Sequence, residues 1–108
     1  MTPRDLPPPL RPLDPASGSG VGPARDLIRD QGLEPMVWSN GPGYRYTSHM
    51  HATTKLLVCA EGSITFLVGG DSVPVELRSG QGFELPPGTW HAAAVGPEGC
   101  TCVEGHRP

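Results

Sequence analysis

The sequence predicts an all-β protein, an antiparallel sandwich or barrel, with a Pro-rich lead and one short helix in front of it. Three observations predict it. From Leu33 onward, short apolar or alternating runs recur at spacings of roughly 8–12 residues, separated by Gly and Pro clusters. No long helical period interrupts them. Seven of the 14 prolines lie in the first 23 residues, so a Pro-rich segment is followed by a compact remainder of about 85 residues.

The elements follow in order. Residues 1–22 combine Pro, which removes donors, with a flexible SGSG tract. They read as a disordered lead, or as an arm that wraps another surface; the PPPLRP run within them reads as plain linker. Residues 23–31 suit a short helix, with Pro23 in its first turn, Leu27 and Ile28 as a thin apolar stripe, and Gly32 at its end. Eight β segments are expected next, over 35–39, 44–51, 55–60, 63–68, 72–78, 82–85, 89–95 and 100–105. Ile64, Phe66, Phe83 and Leu85 read as barrel filling, and Trp38 and Trp90 as core or dimer packing. A core this small, with sheet edges to cover, points to a homodimer.

Several classes drop out. The formal net charge is −3 and the basic residues are scattered, so nucleic acid is not an expected partner. No apolar run approaches the ~18 residues that a membrane helix needs. The N-terminus lacks the pattern of a signal peptide, so a cytoplasmic location with reduced thiols is expected. Three cysteines do not make a disulfide framework. Cys100 and Cys102 share one strand face. With His106 they would offer zinc three ligands at an unusual spacing, so they read instead as small buried apolar residues. His106 itself, in the tail EGHRP, reads as solvated.

The chemistry lies in the histidines. His49 and His51 are an i, i+2 pair, so on a strand their imidazoles point one way. His91 follows the Pro86-Pro87-Gly88 turn, and in a closed sheet it faces the same interior. Three imidazoles on one ion leave coordination positions open, as a catalytic metal site requires. Tyr44 and Tyr46 share a face, but by parity they lie opposite the histidines unless the strand bulges between.

Two spacings carry a resemblance. Gly43 stands six positions before His49, followed by His51, Lys55 and Gly62; Gly80, Pro86, Gly88 and His91 follow later. These are similar to the two signature segments of the cupin family, G-x5-H-x-H-x3or4-E-x6-G and G-x5-P-x-G-x2-H-x3-N. Over about residues 35–106 the chain resembles a small single-domain cupin of the RmlC-like type. The resemblance implies a double-stranded β-helix, or jelly-roll barrel, over residues 23–108. It also implies that His49, His51 and His91 are metal ligands.

Two family positions differ. Lys55 stands where the motif has its metal-binding glutamate, and Val95 where it has asparagine. An ammonium ~5 Å from a divalent ion, at an effective dielectric of about 20, costs roughly 7 kcal/mol. Three readings of Lys55 therefore stay open: a neutral lysine acting as base or nucleophile, a lysine paired with a carboxylate such as Glu84 or Glu76, or an anion-binding lysine in a metal-free pocket. The ligand set is similar to that of three-histidine cupins, which include iron-dependent thiol and diketone dioxygenases. The resemblance thus implies one divalent transition metal, Fe(II) first and Zn, Ni or Mn as alternatives, and an oxygenase acting on a small polar molecule. The other reading is a non-catalytic barrel or sensor that binds an anionic metabolite through Lys55.

Overall fold

In the computed structural model, which describes residues 6–108, alternating apolar residues form seven strands and one helix. These are β1 (Arg11–Pro12), α1 (Val21–Asp30), β2 (Met36–Asn40), β3 (Arg45–His49), β4 (Thr54–Val68), β5 (Val73–Arg78), β6 (Gly82–Leu85) and β7 (His91–Arg107). Neighbouring strands run in the order β1-β6-β4-β7-β2, with β3 also on β7 and β5 also on β4. Every pairing is antiparallel. The fold is the expected jelly-roll barrel.

Four of the expected β segments merge into two long strands. Segments 55–60 and 63–68 are both part of β4, and segments 89–95 and 100–105 fall together in β7. Glu61-Gly62 and the Gly96–Gly99 stretch bend the paired strands instead of ending them. The β4–β7 register slips there, between Cys59 and Glu61 and again between Gly62 and Ile64. Gly62 has φ +75°, and a Cβ on it would lie 2.0 Å from the Gly99 carbonyl oxygen. Only a residue without a side chain fits that approach.

The slip changes which residues face inward. On β4, Leu57 and Cys59 point into the barrel before the bend, and Ile64, Phe66 and Val68 after it; on β7, Ala93 and Val95 give way to Cys100 and Cys102. Phe66 meets Phe83 edge to face with ring centroids 5.0 Å apart. The opposite face of the first half of β4 carries Leu56, Val58 and Ala60, covered by Ala24 and Ile28 of α1. Ala24 and Ile28 are one helical turn apart, which is the spacing a helix needs to lay one stripe on a sheet. The helix starts two residues before the expected position, so Pro23 still falls in its first turn, and Gly32 follows its end with φ +77°.

Of the Pro-rich lead, residues 1–5 lie outside the described residues. From Leu6 on the chain lies as an arm along the barrel: Leu10 is buried in the inner core, and Arg11 and Pro12 register with Glu84 and Phe83 of β6. The arm supplies partners to backbone groups that a sheet edge would otherwise leave open, as in the bond from Ala16 N–H to the Gly80 carbonyl at 2.9 Å. No helix among the described residues is long and apolar enough to cross a membrane.

The close approach at Gly62 makes a testable difference between glycines. Gly62→Ala is expected to lower stability by about 2 kcal/mol or more, because it adds both strain and a backbone clash. Gly70→Ala, which meets nothing within 4 Å, is expected to stay within about 0.5 kcal/mol. Urea unfolding midpoints of the two variants check this.

Candidate metal centre

The three histidines converge at one end of the barrel. His49 closes β3 and registers with His91, which opens β7 and also faces Val68 at the end of β4. His51 lies just beyond β3, and its carbonyl accepts the Gly88 N–H at 2.9 Å. That bond ties it to the Pro86-Pro87-Gly88 turn. Ring centroids are 5.0 Å apart for His49 and His51, 4.4 Å for His49 and His91, and 5.2 Å for His51 and His91. One ligand nitrogen from each lies within 4.8 Å of the others.

Hydrogen bonds fix which nitrogens are free. A carbonyl only accepts, so Nδ1–H of His91 donates to Thr89 at 2.9 Å, and Nδ1–H of His49 donates to Thr47 at 2.7 Å. Each bond leaves Nε2 as the nitrogen with the lone pair, the tautomer a metal ligand uses. The Nε2 atoms of His51 and His91 are buried and have no hydrogen-bond partner. A buried polar atom without a partner is costly, and two of them within one group of converging nitrogens suit a divalent cation. Burial pushes the His91 imidazole down to about 4 despite the Thr89 bond, and the nearby His49 and Lys55 add to the effect. Burial and Lys55 also lower His51. Neutral imidazoles are the form that binds metal.

Lys55 lines the same cavity, of about 270 Å³, and its partner is neither Glu84 nor Glu76. Glu84 is held by Arg107 at 3.2 Å, and Glu76 by Arg78 at 3.1 Å. Lys55 Nζ lies 3.3 Å from Oε1 of Glu104 on β7, and the two side chains are only 11% and 12% exposed. Glu104 has further donors. Trp38 Nε1–H donates to Oε1 at 2.6 Å, and His106 Nε2 meets Oε2 at 2.6 Å. Burial alone would raise the Glu104 carboxyl, but Lys55 and the bonds from His106 and Trp38 outweigh it and hold the carboxyl below its ordinary range.

The other walls are Trp38, Tyr46, Phe66 and Ala93. Tyr46 reaches the cavity because the β3–β7 register shifts between Tyr46 and His49. That bulge overturns the strict alternation that would have turned it away. Its hydroxyl donates to Asn40 Oδ1, and burial pushes the phenol up, while Tyr44 is 50% exposed. Trp38 is a pocket wall as well as packing, and Trp90 is exposed. His106 is not simply solvated: Nδ1 bonds Thr53 Oγ1 at 3.0 Å, and Nε2 holds Glu104. Cys59, Cys100 and Cys102 are free, buried thiols of the inner core.

Sequence reasoning missed Glu104, although a signal was present. Cys100, Cys102, Glu104 and His106 alternate, so the face assigned to the cysteines also carries the carboxylate.

The family model described as Cupin domain matches residues 36–104, which span both histidine segments. The chain is a cupin. Over 59 residues the cupin is 36% identical to dimethylsulfoniopropionate lyase DddW of Ruegeria pomeroyi, a match covering 55% of this chain and 38% of that protein. A conserved protein with a double-stranded β-helix domain from Klebsiella pneumoniae superposes with TM-score 0.61 at 26% identity, over 68% of this chain and 62% of that one. The DMSP lyase DddQ of Ruegeria pomeroyi superposes with TM-score 0.64 at 24% identity, over 70% of this chain and 38% of that one, and shows the shared fold. The cupin thus spans well under half the length of the two lyases.

The buried histidines predict a pH dependence in metal-free protein. Folded His91 stays neutral down to about 4, whereas the unfolded chain takes up that proton near 6.5. Between these values the unfolded state binds more protons, so stability falls as pH drops, by up to about 3 kcal/mol. His51 is shifted in the same direction and adds to the fall. Urea unfolding in chelator, between about pH 6.5 and pH 4.5, is expected to show the drop, and His91→Gln to flatten it.

Proposed function

We propose that this cupin is a metal-dependent enzyme acting on a small polar molecule, with one divalent transition metal on His49, His51 and His91. Fe(II) is the first candidate, and Zn, Ni and Mn are alternatives. The observation that carries the proposal is the pair of buried, unpartnered Nε2 atoms on His51 and His91, converging with His49 in a cavity of about 270 Å³. Bound there, the metal supplies Lewis acidity and open positions for substrate. Thr89 and Thr47 orient two of the imidazoles through their carbonyls. Phe66, Trp38 and Ala93 keep one side of the cavity apolar. Lys55 is the group in the cavity suited to hold an anionic part of the ligand or to move a proton.

Two observations bear on the reaction class. Three neutral nitrogen ligands leave two or three coordination positions free, which supports oxidation by O2 as the first reading. The 36% identity to a dimethylsulfoniopropionate lyase supports elimination as the second. A barrel that binds without turnover is the remaining alternative.

Elemental analysis of tag-free protein is expected to find about one transition metal per chain, and none in His51→Ala or His91→Ala. The O2 electrode and an assay of dimethylsulfoniopropionate consumption then separate the readings. Turnover of either kind in metal-free protein, or an equal metal content in the histidine variants, would overturn the proposal.

A further inference from the structure

The metal reading leaves Glu104 without a role and does not decide between the two roles open to Lys55. Glu104 is fully engaged. Oε1 accepts from Trp38 Nε1–H at 2.6 Å and lies 3.3 Å from Lys55 Nζ, and Oε2 meets His106 Nε2 at 2.6 Å. Its carboxylate lies outside the group of converging histidine nitrogens, so it does not replace the glutamate that Lys55 displaces. Lys55 differs. An ammonium has three N–H donors and Glu104 takes one, while the lysine lines the cavity beside His51 and His91 and perturbs both.

Charge counting gives the ligand's sign. Lys55 and Glu104 cancel and three neutral imidazoles add nothing, so a divalent ion leaves the cavity with two positive charges. A phosphate dianion is best held by several donors, such as a guanidinium fork or a helix N-terminus. The cavity lining has a single cation, paired with Glu104, and beyond that pair and the three histidines its wall is aromatic or apolar: Trp38, Tyr46, Phe66 and Ala93. One cation against an apolar wall matches one carboxylate on a short carbon skeleton. The volume of about 270 Å³ is that of about nine waters at ~30 Å³ each and admits a small molecule.

We infer that Lys55 anchors the carboxylate of a small monocarboxylate ligand, and that Glu104 is the positioning residue that fixes its ammonium. Trp38 and His106 fix Glu104 in turn. The inference deepens the proposed function and rests on it for the metal, which supplies the cavity's net positive charge and the second point of attachment. The hydrogen-bonding anchor itself is Lys55, held by Glu104.

The test compares propionate with propionamide, which has nearly the same shape and no charge, on the metal-loaded full chain. Trp90, which is 52% exposed, is replaced by Phe so that Trp38 in the cavity wall is the sole tryptophan reporter. Propionate is expected to change Trp38 fluorescence saturably, and propionamide to bind at least about tenfold more weakly. Lys55→Met is expected to reduce that preference several-fold, to the part the metal supplies, while the metal content stays at about one per chain. Glu104→Gln is expected to reduce the preference several-fold with unchanged metal content, a change in selectivity that a merely structural role would not produce.

Lys55→Met alone leaves a buried carboxylate without its cation. The double variant Lys55→Met/Glu104→Gln removes both charges together and is expected to fold and to show the same reduced preference. Equal binding of propionate and propionamide by the parent protein, or a preference that Lys55→Met and the double variant leave undiminished, overturns the inference. The same titration on His91→Ala separates the two proposals. A Lys55-dependent preference in that metal-free protein supports the anchor whatever the metal analysis finds, and loss of metal from the parent protein alone counts only against the metal centre.

Discussion

The shape of the site depends on the bend that Gly62 and Gly99 allow in the paired strands β4 and β7. Lys55 and Phe66 are eleven residues apart on β4, which in an extended strand is about 36 Å. Yet both residues line one cavity. The ribbon therefore folds back on itself, and the fold-back needs a position where backbone meets backbone with no side chain between. Gly62 is that position, with the Gly99 carbonyl where its Cβ would be. The register slips on either side turn the inward face from odd to even residues of β4. Both halves of the strand therefore present apolar side chains to one interior.

The bend also decides the electrostatics. It sets the histidine end of the ribbon, where Val68 faces His91, against the other end, where Lys55 faces His106. Burial and the nearby ammonium both lower His51 and His91, which keeps them in the neutral form that donates a lone pair. An ammonium left unpaired close to a divalent ion would oppose metal binding by several kcal/mol, on the order of 7 at ~5 Å. Glu104 offsets part of that cost at 3.3 Å from Lys55 Nζ. Trp38, from the edge strand β2, and His106 hold the carboxylate in place. The pocket is thus a balance between four strands of the sheet, β2, β3, β4 and β7, and no single element carries it.

Much of this was legible in the chain. The glycine and histidine spacings identified the fold and the three converging imidazoles, because each glycine marks a backbone shape that other residues resist. Gly43, Gly62, Gly80 and Gly88 all have positive φ. What alternation alone misjudged were the places where it breaks. Glu61-Gly62 and the Gly96–Gly99 stretch read as strand ends, whereas a bulge permits a bend without stopping the ladder. Tyr46 read as facing away from the histidines until the shift in β3 turned it inward. Glu104 was hidden for another reason. Its face was readable from Cys100 and Cys102, but its partners lie 49 and 66 residues away in sequence, at Lys55 and Trp38. No local pattern encodes a pairing at that separation.

Lys55 and Glu104 are best understood as one change seen on two strands. In the family pattern that the chain resembles, the carboxylate at the position of Lys55 would bind the ion and remove one of its charges. Here the carboxylate stands on β7 and is occupied by the lysine, so the histidine centre has no anionic ligand of its own. An ion held there would be bound less tightly and would keep its full charge for whatever enters the cavity. A carboxylate bound at Lys55 would bring the missing negative charge with it. Ligand and metal would then each strengthen the other's binding by the same factor, as linkage requires. On that account the substitution at position 55 moves the site's negative charge from the protein to its ligand, and the metal centre is complete only when the ligand is present.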